Sequence, residues 1–221
     1  MNIFDIVGPV MIGPSSSHTA GAVRIGKIAS LLMKEKIVQA DVKLYGSFAK
    51  TYRGHGTDKA LIGGILGMNP DDERIRDSIE IAKQEGVKIQ FQEMKESVSH
   101  PNTATISLYG ENGEHITVTG SSIGGGNIFV SEIDGMGVAI NGHDDTLIVV
   151  HKDVPGIVGK VAEFLGNCEI NVCNMALSRE NRGGRAILCI SIDGHTDLDV
   201  AAYVNRFAGV ERCIMLLAAG R

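Results

Sequence analysis

Apolar positions in the first two thirds of the chain change between helical and strand spacing. After residue 19 they recur every three or four positions, as at Ala22, Ile25 and Ala29, which predicts a helix over 19–36. Long helices beside paired strands indicate an α+β domain over residues 1–143. The same patterns predict strands at 42–48, 104–109, 115–119, 127–133 and 138–140 and a hairpin turn at 110–113. They also predict a glycine-rich turn at 54–58, a helical pattern after it with Ala60, Leu61 and Ile65, and a charged helix over 71–85.

Residues 144–221 have a more regular pattern. The β-branched run at 146–150 predicts a buried strand, and Asp153 with Pro155 predicts the start of a helix that Gly166 ends. The order of elements is β-α-β-β-α-β, which predicts a ferredoxin-like domain. Its remaining elements are strands at 170–177, 185–192 and 210–217 and a helix over 197–207.

Composition and charge narrow the possible classes of function. The 221 residues are 43% apolar and 21% charged, with a formal net charge of −5 and no block of Lys and Arg. This balance argues against nucleic acid as the main partner. No stretch approaches the roughly 18 consecutive apolar residues of a membrane span, and residues 1–5 lack the basic start of a secretion signal. We therefore expect a cytoplasmic protein without a membrane partner.

The four cysteines do not have the spacing of a metal site. Cys168, Cys173, Cys189 and Cys213 include no C-x-x-C pair, so neither structural zinc nor an iron–sulfur cluster is predicted from them. Three of them fall in alternating apolar segments, where a free cysteine behaves as a small buried hydrophobic residue. We expect them to pack in the core and expect no metal ligands in this chain.

The segment Gly13-Pro14-Ser15-Ser16-Ser17-His18-Thr19 combines four hydroxyls with an imidazole just before the first predicted helix. Ser17 or Thr19 could cap that helix. The free N–H groups of its first turn, with these hydroxyls, would make a cradle for a carboxylate or a phosphate. His18 adds a side chain that exchanges protons near neutral pH. A solvated, capped turn is the simpler alternative.

Three further segments combine small residues with polar side chains. They are Gly54-His55-Gly56-Thr57-Asp58, His100-Pro101-Asn102-Thr103 and Ser121-Ser122-Ile123-Gly124-Gly125-Gly126. Each is weak evidence alone: the first can be an ordinary loop and the second a strand entry, because proline restricts the residue before it. The triple glycine lacks the strand-to-helix context of a dinucleotide site.

Taken in order, these segments resemble the β subunit of iron–sulfur-dependent L-serine dehydratases, and Tyr45-Gly46-Ser47-Phe48-Ala49 belongs to the same series. Residues 153–159, with Leu165-Gly166 and Ile170-Asn171-Val172, resemble an ACT domain. The resemblance covers nearly the whole chain. It implies an allosteric-substrate-binding-type α+β domain over 1–143 and a ferredoxin-like βαββαβ ACT domain over 144–221.

The resemblance also implies an activity, a cofactor and partners. Such enzymes convert L-serine to pyruvate and ammonia with a [4Fe–4S] cluster whose open iron acts as a Lewis acid. Since this chain lacks a set of clustered thiolates, the cluster is expected on a separate α subunit. A homodimer through the ACT domain is also implied.

The resemblance implies roles for individual residues. His55 is the candidate for proton transfer, because Gly54 and Gly56 allow its backbone to approach a partner closely. An effector of the ACT domain would contact Asp153, Gly156 and Asn171. The residues that would hold the carboxylate and amine of serine, or line the subunit contact, are Ser15, Ser16, Ser17, His18, Thr19, His100, Asn102, Ser122, Gly124 and Gly125.

Two other functions remain open at this stage. The same two domains could bind serine and regulate another enzyme without catalysis, as similar domains do in some phosphoglycerate dehydrogenases. The serine and glycine loops could instead bind phosphate.

Overall fold

The chain divides into two units, Met1–Asp134 and Gly135–Arg221. The structure, a computed structural model, describes residues 11–13, 15–96 and 98–218. The domain boundary that the sequence places after residue 143 stays a prediction. No helix among the described residues is long and apolar enough to cross a membrane.

The first unit combines helices with a mixed sheet against which they pack. Its helices are α1 (Ala20–Leu32), α2 (Gly46–His55), α3 (Thr57–Ile65), α4 (Ser78–Gln84) and a 3-10 turn (Glu73–Asp77); its strands are β1 (Ile37–Leu44), β2 (Lys88–Glu93), β3 (Thr103–Gly110), β4 (His115–Gly124) and β5 (Asn127–Ile133). The strand order within the unit is β2-β1-β3-β4-β5, with β1 and β2 parallel and the other neighbours antiparallel.

Helices α1 and α3 cross with their backbones in close contact because glycines lie at the crossing. A Cβ atom on Gly26 would lie 2.3 Å from the carbonyl oxygen of Leu61, and one on Gly64 would lie 2.0 Å from that of Val23. Only glycine permits this approach. The crossing holds α3, and with it the turn between α2 and α3, against the start of α1.

Several predicted elements of the first unit are wrong in their bounds. The helix predicted over 71–85 is a 3-10 turn over Glu73–Asp77 followed by α4 over Ser78–Gln84. The first helix ends at Leu32 rather than Lys36, because the carboxylate of Glu114 accepts the N–H groups of Lys34 and Glu35 at 2.7 and 2.8 Å. The predicted strand 42–48 ends at Leu44 and is followed by α2. The strand predicted over 115–119 extends to Gly124, so Ser121 and Ser122 lie within β4. Strand β2 was not predicted.

The second unit confirms the predicted order of elements. The elements are β6 (Met136–Ile140), β7 (Asp145–Lys152), α5 (Ile157–Asn167), β8 (Val172–Arg179), β9 (Arg185–Ile192), α6 (Val200–Val204) and β10 (Val210–Leu216). The four-stranded antiparallel sheet has the order β10-β7-β9-β8, the ferredoxin-like arrangement, with a core that includes Leu147, Val161 and Leu188. The fold class is therefore α+β, as predicted.

The predicted starts of both helices in this unit are too early. Helix α5 begins after Gly156, which adopts a left-handed conformation with φ of 94°, so Asp153 and Pro155 precede the helix. Helix α6 is capped by Asp199, whose carboxylate accepts the N–H of Ala202 at 3.0 Å, and not by Asp197.

Candidate functional site

The first turn of α2 is held by the segment 100–103. The carbonyl oxygen of Pro101 accepts the N–H groups of Ser47 at 2.7 Å and Phe48 at 3.3 Å. Gly46 lies against the same proline: its φ is 53°, and a Cβ atom there would lie 2.6 Å from the Pro101 carbonyl oxygen. The start of α2 and the segment 100–103 are far apart in the sequence but pack directly against each other. Because two N–H groups of the first turn of α2 are already hydrogen-bonded to Pro101, they are not free to bind an anion.

The same segment is hydrogen-bonded to β4. The hydroxyl of Thr103 donates to the carbonyl oxygen of His100 at 2.6 Å and lies 2.7 Å from the hydroxyl of Ser121. The N–H of Ser122 donates to the carbonyl oxygen of Asn102 at 2.9 Å, and Nδ1 of His100 accepts the N–H of Asn102 at 3.2 Å. The structure thus brings the polar segments 100–103 and 121–126 together.

Two polar atoms in this region are buried without a hydrogen-bond partner among the described residues. They are Oδ1 of Asn102 and Oγ of Ser122. Ser122 lies so close to Gly21 of α1 that a Cβ atom on Gly21 would lie 2.0 Å from its Oγ. Most buried polar atoms in proteins are paired, so two unpaired atoms in one region call for an explanation, and a ligand or partner group is one.

His18, in the segment before α1, packs against one face of α2. Nε2 of His18 lies 3.1 Å from Oγ1 of Thr51, and Nδ1 lies 3.3 Å from Oγ of Ser15. The His18 ring also contacts the rings of Phe48 and His55, with centroids 5.3 and 4.7 Å away. Positions 48, 51 and 55 lie on one face of a helix, because they are three and four residues apart.

His18 and His55 differ in environment. His18 is 8% exposed, whereas His55, the last residue of α2, is exposed. Burial lowers the pKa of His18 below its usual 6.5, and the nearby His55 lowers it further. Gly56 follows in a left-handed conformation with φ of 70°, and α3 begins at the next residue. The glycine-rich turn of the prediction is therefore the junction of two helices, with the imidazole of His55 at the surface.

The predicted cap of α1 is wrong for Thr19, which makes no side-chain capping bond. Instead, the N–H groups of Thr19 and Gly21 donate to the carbonyl oxygens of Ser15 and Ser16 at 2.9 and 3.0 Å. Part of the predicted anion cradle is thus already used by the chain itself. Ser17 is half-buried in the same turn, and Pro14 lies outside the described residues.

The triple glycine forms the turn of the β4–β5 hairpin. Gly124 and Gly125 both have positive φ values, 104° and 60°, which glycine adopts without strain. The guanidinium of Arg24 donates to the carbonyl oxygen of Gly126 at 3.3 Å, so this turn is linked to α1.

The predicted effector residues lie in the second unit, and two of them are already hydrogen-bonded. The carboxylate of Asp153 accepts the N–H of Gly183 and a guanidinium N–H of Arg179, both at 3.0 Å, and these bonds lower the pKa of Asp153. The side-chain amide of Asn171 donates to Asp193 at 2.5 Å. Around Gly156 the space is open.

The cysteines do not fit an iron–sulfur cluster. Cys189 and Cys213 are buried, and burial raises the pKa of each thiol to about 12, which disfavours the thiolate that iron requires. Cys168 is half-buried and Cys173 is exposed. Within the described residues, no three His, Cys, Asp or Glu side chains form a group that could hold a metal ion.

Sequence reasoning missed Thr51. Its hydroxyl joins His18 to α2, since it lies 3.1 Å from Nε2 of His18 and donates to the carbonyl oxygen of Ser47 at 2.8 Å. The signal was the spacing of Phe48, Thr51 and His55, but it was hidden because a strand was predicted through residue 48.

Comparison with known proteins gives a consistent result. A family model described as serine dehydratase beta chain matches residues 2–85. A probable L-serine dehydratase beta chain of Bacillus subtilis (strain 168) is 45% identical over 196 residues, which cover 89% of each chain. An L-serine dehydratase beta chain of Peptoniphilus asaccharolyticus is 39% identical over 86% of each chain. A D-3-phosphoglycerate dehydrogenase of Bacillus subtilis is 27% identical over 80% of this chain and 33% of its own length.

Proposed function

The chain belongs to the family of L-serine dehydratase beta chains, and we propose that it is the β subunit of an iron–sulfur enzyme that converts L-serine to pyruvate and ammonia. The observation that carries this proposal is the exposed imidazole of His55, held at the end of α2 against the ring of His18. The cluster is assigned to a separate α subunit, because the thiols of this chain do not fit it.

The reaction requires removal of the α-proton of serine and loss of the β-hydroxyl. We assign the proton to the imidazole of His55, a role that typically contributes about 10²–10⁴-fold in rate. The resulting aminoacrylate tautomerises to an imine, and water hydrolyses the imine to pyruvate and ammonia. The proposal is supported by geometry: His55 is accessible, and Gly54 and Gly56 on either side leave open space for a partner.

The polar segments would hold the substrate or the α subunit. Oδ1 of Asn102 and Oγ of Ser122 accept hydrogen bonds and have no partner among the described residues, which suits the ammonium group of an amino acid. Hydroxyls and N–H groups are the donors that a carboxylate prefers. We assign the carboxylate and the subunit contact to Ser16, Ser17, Thr19, His100, Gly124 and Gly125. Ser15 and His18, whose Oγ and Nδ1 lie 3.3 Å apart, contact each other instead.

Reconstitution tests the division of labour between the subunits. The isolated chain is expected to be colourless and inactive toward L-serine, and addition of the cluster-bearing α subunit is expected to restore pyruvate release. With the reconstituted enzyme, His55→Ala should lower kcat by at least about a hundredfold. His115→Ala is the matched control, because His115 is an exposed histidine of the β3–β4 hairpin that stacks on Tyr109. Activity or a brown cluster in the isolated chain would contradict the proposal.

A regulatory role without catalysis is the second candidate. The similarity to a phosphoglycerate dehydrogenase over most of this chain favours it. Under this alternative the isolated chain binds L-serine in calorimetry, and His55→Ala changes the response of a regulated enzyme but leaves pyruvate release by the reconstituted complex intact. Phosphate in the same calorimeter tests whether the loops bind any small anion.

For the second unit we propose effector binding across a homodimer, with contacts from Asp153, Gly156 and Asn171. The open space at Gly156 supports it, since a ligand can approach the backbone there. Asn171→Ala should weaken the effector response and leave pyruvate release without effector unchanged. An unchanged response would remove Asn171 from the site.

A further inference from the structure

We propose that His18 is a positioning residue that holds the imidazole of His55 in its working orientation and does not itself exchange a proton with the substrate. This inference rests on the role proposed above for His55, but it assigns a different task to the second histidine. It starts from the way His18 is held.

His18 is enclosed by one face of α2. Its ring lies between those of Phe48 and His55, one turn of helix on either side of Thr51. The His18 and His55 rings are nearly perpendicular, with an interplanar angle of 84°. Perpendicular ring pairs are a preferred arrangement of aromatic groups. An exposed side chain at the end of a helix is otherwise free to rotate, so this contact restricts the orientations of His55.

Hydrogen bonding determines which nitrogen of His18 carries its proton. The hydroxyl hydrogen of Thr51 is used by the carbonyl oxygen of Ser47, at 2.8 Å. Oγ1 of Thr51 can therefore only accept from His18, so Nε2 of His18 is the donor in their 3.1 Å contact. In a neutral imidazole the other nitrogen is then an acceptor, and Oγ of Ser15 donates to Nδ1 at 3.3 Å.

Both nitrogens of His18 are therefore occupied by the protein. The neutral form is favoured by burial and by the neighbouring imidazole, which together lower the pKa of His18. The ionisable group that acts on it electrostatically is His55 of α2, while Ser15 and Thr51 are neutral neighbours. A buried imidazole with two engaged nitrogens is suited to fix a neighbouring ring and poorly suited to transfer a proton.

The test uses Thr51→Val and Thr51→Ser in the reconstituted enzyme. Valine keeps the shape of threonine but removes the acceptor of the His18 Nε2–H bond, whereas serine keeps it. Misplacement of a catalytic group costs between about tenfold and a hundredfold in rate. We expect Thr51→Val to lower kcat by at least about tenfold with KM changed less than about twofold. Thr51→Ser should restore most of the activity.

The matched control is Thr105→Val, which removes the half-buried hydroxyl that Thr105 shares with Thr119 on β3 and β4, at 2.9 Å. Its kcat and KM should stay at the wild-type values. A second readout needs no activity: in the isolated chain, the ring-proton NMR resonance of His55 should shift in Thr51→Val and in His18→Phe, and stay in place in Thr105→Val.

The outcomes separate this inference from the proposed function. If His55→Ala retains full activity, the proposed function fails. If His55→Ala is inactive while Thr51→Val and His18→Phe keep the wild-type kcat, the positioning role alone is wrong. An increase of KM without a change of kcat in His18→Phe would instead show that His18 contacts the substrate, which also overturns the inference.

Discussion

The two units use similar polar residues in opposite ways. In the second unit, Asp153 and Asn171 are hydrogen-bonded to neighbouring strands and turns. In the first unit, Asn102 and Ser122 keep buried oxygen atoms without a partner among the described residues. A paired group contributes to folding, whereas an unpaired one costs stability and is tolerated where another molecule uses it. Nε2 of His151 in the second unit is also buried without a partner among the described residues, so the contrast applies to the candidate residues and not to the two units as a whole.

The largest expected difference in stability is between glycine-to-alanine substitutions made in one helix of each unit. Gly64→Ala places a Cβ atom 2.0 Å from the carbonyl oxygen of Val23, so it should destabilise the first unit by about 2–3 kcal/mol. Gly159→Ala in α5 meets open space and should stabilise the chain by about 0.5–1 kcal/mol, because alanine favours helices. Urea unfolding followed by circular dichroism measures both. If Gly64→Ala stabilised the chain as Gly159→Ala does, the backbones of α1 and α3 would not be in close contact.

A second matched pair separates stability from activity. Thr103 and Thr146 are both buried, and each hydroxyl donates to a carbonyl oxygen and contacts a serine hydroxyl. Valine at either position should cost about 1–2 kcal/mol in the free energy of unfolding, since one bonded hydroxyl is lost. Only Thr103→Val should lower the kcat of the reconstituted enzyme, because residues 100–103 hold the start of α2. If Thr103→Val and Thr146→Val changed kcat equally, the segment 100–103 would have no specific role in the active site.

Acid should weaken the two units in different pH windows. The folded pKa of His18 lies below 6.5, so the unfolded chain binds more protons there, and stability falls as the pH drops from about 6.5 to that folded pKa. The folded pKa of Asp153 lies below 3.8, so its contribution is complete above that pH and is lost below it. Urea midpoints between pH 3 and 8 should show a shallower decline near pH 6 for His18→Phe. For Asp153→Asn, only the decline below pH 4 should change.

The smallest effect is expected at Ser122. Its hydroxyl has no partner among the described residues, so Ser122→Ala loses no hydrogen bond and should not lower the free energy of unfolding by more than about 0.5 kcal/mol. The KM for L-serine should nevertheless rise if this oxygen meets the substrate. A loss of stability larger than 1 kcal/mol, on the order of one hydrogen bond, would mean that the hydroxyl is paired after all.

How far the sequence predicts the fold also differs between the units. In the second unit each strand and helix has its own local signal, such as the alternation at 185–192, so the order of elements was predicted correctly. In the first unit the strand prediction ran through Gly46 to residue 48, because nothing local shows that Pro101 lies against that glycine. Strand β2 was missed, since its residues Lys88–Glu93 are mostly polar and its partner β1 lies far away in the chain.

The candidate site shows the same limit. The motifs identified His55 and His18 separately, but their contact depends on Thr51 and on the true extent of α2, which sequence spacing did not reveal. The two unpaired oxygens follow from long-range packing, such as that of Ser122 on Gly21. Local sequence motifs identify the residues that carry reactive side chains, but tertiary contacts determine which of these side chains lie next to each other.

The carbonyl of Pro101 has a consequence for biosynthesis. It accepts two N–H groups in the first turn of the ten-residue helix α2, whose last residue, His55, lies about 12 Å farther along the helix axis. A ribosome makes that helix well before it makes the proline. A nascent polypeptide therefore carries His18 and His55 for some time before the Pro101 contact that fixes the start of α2 can form.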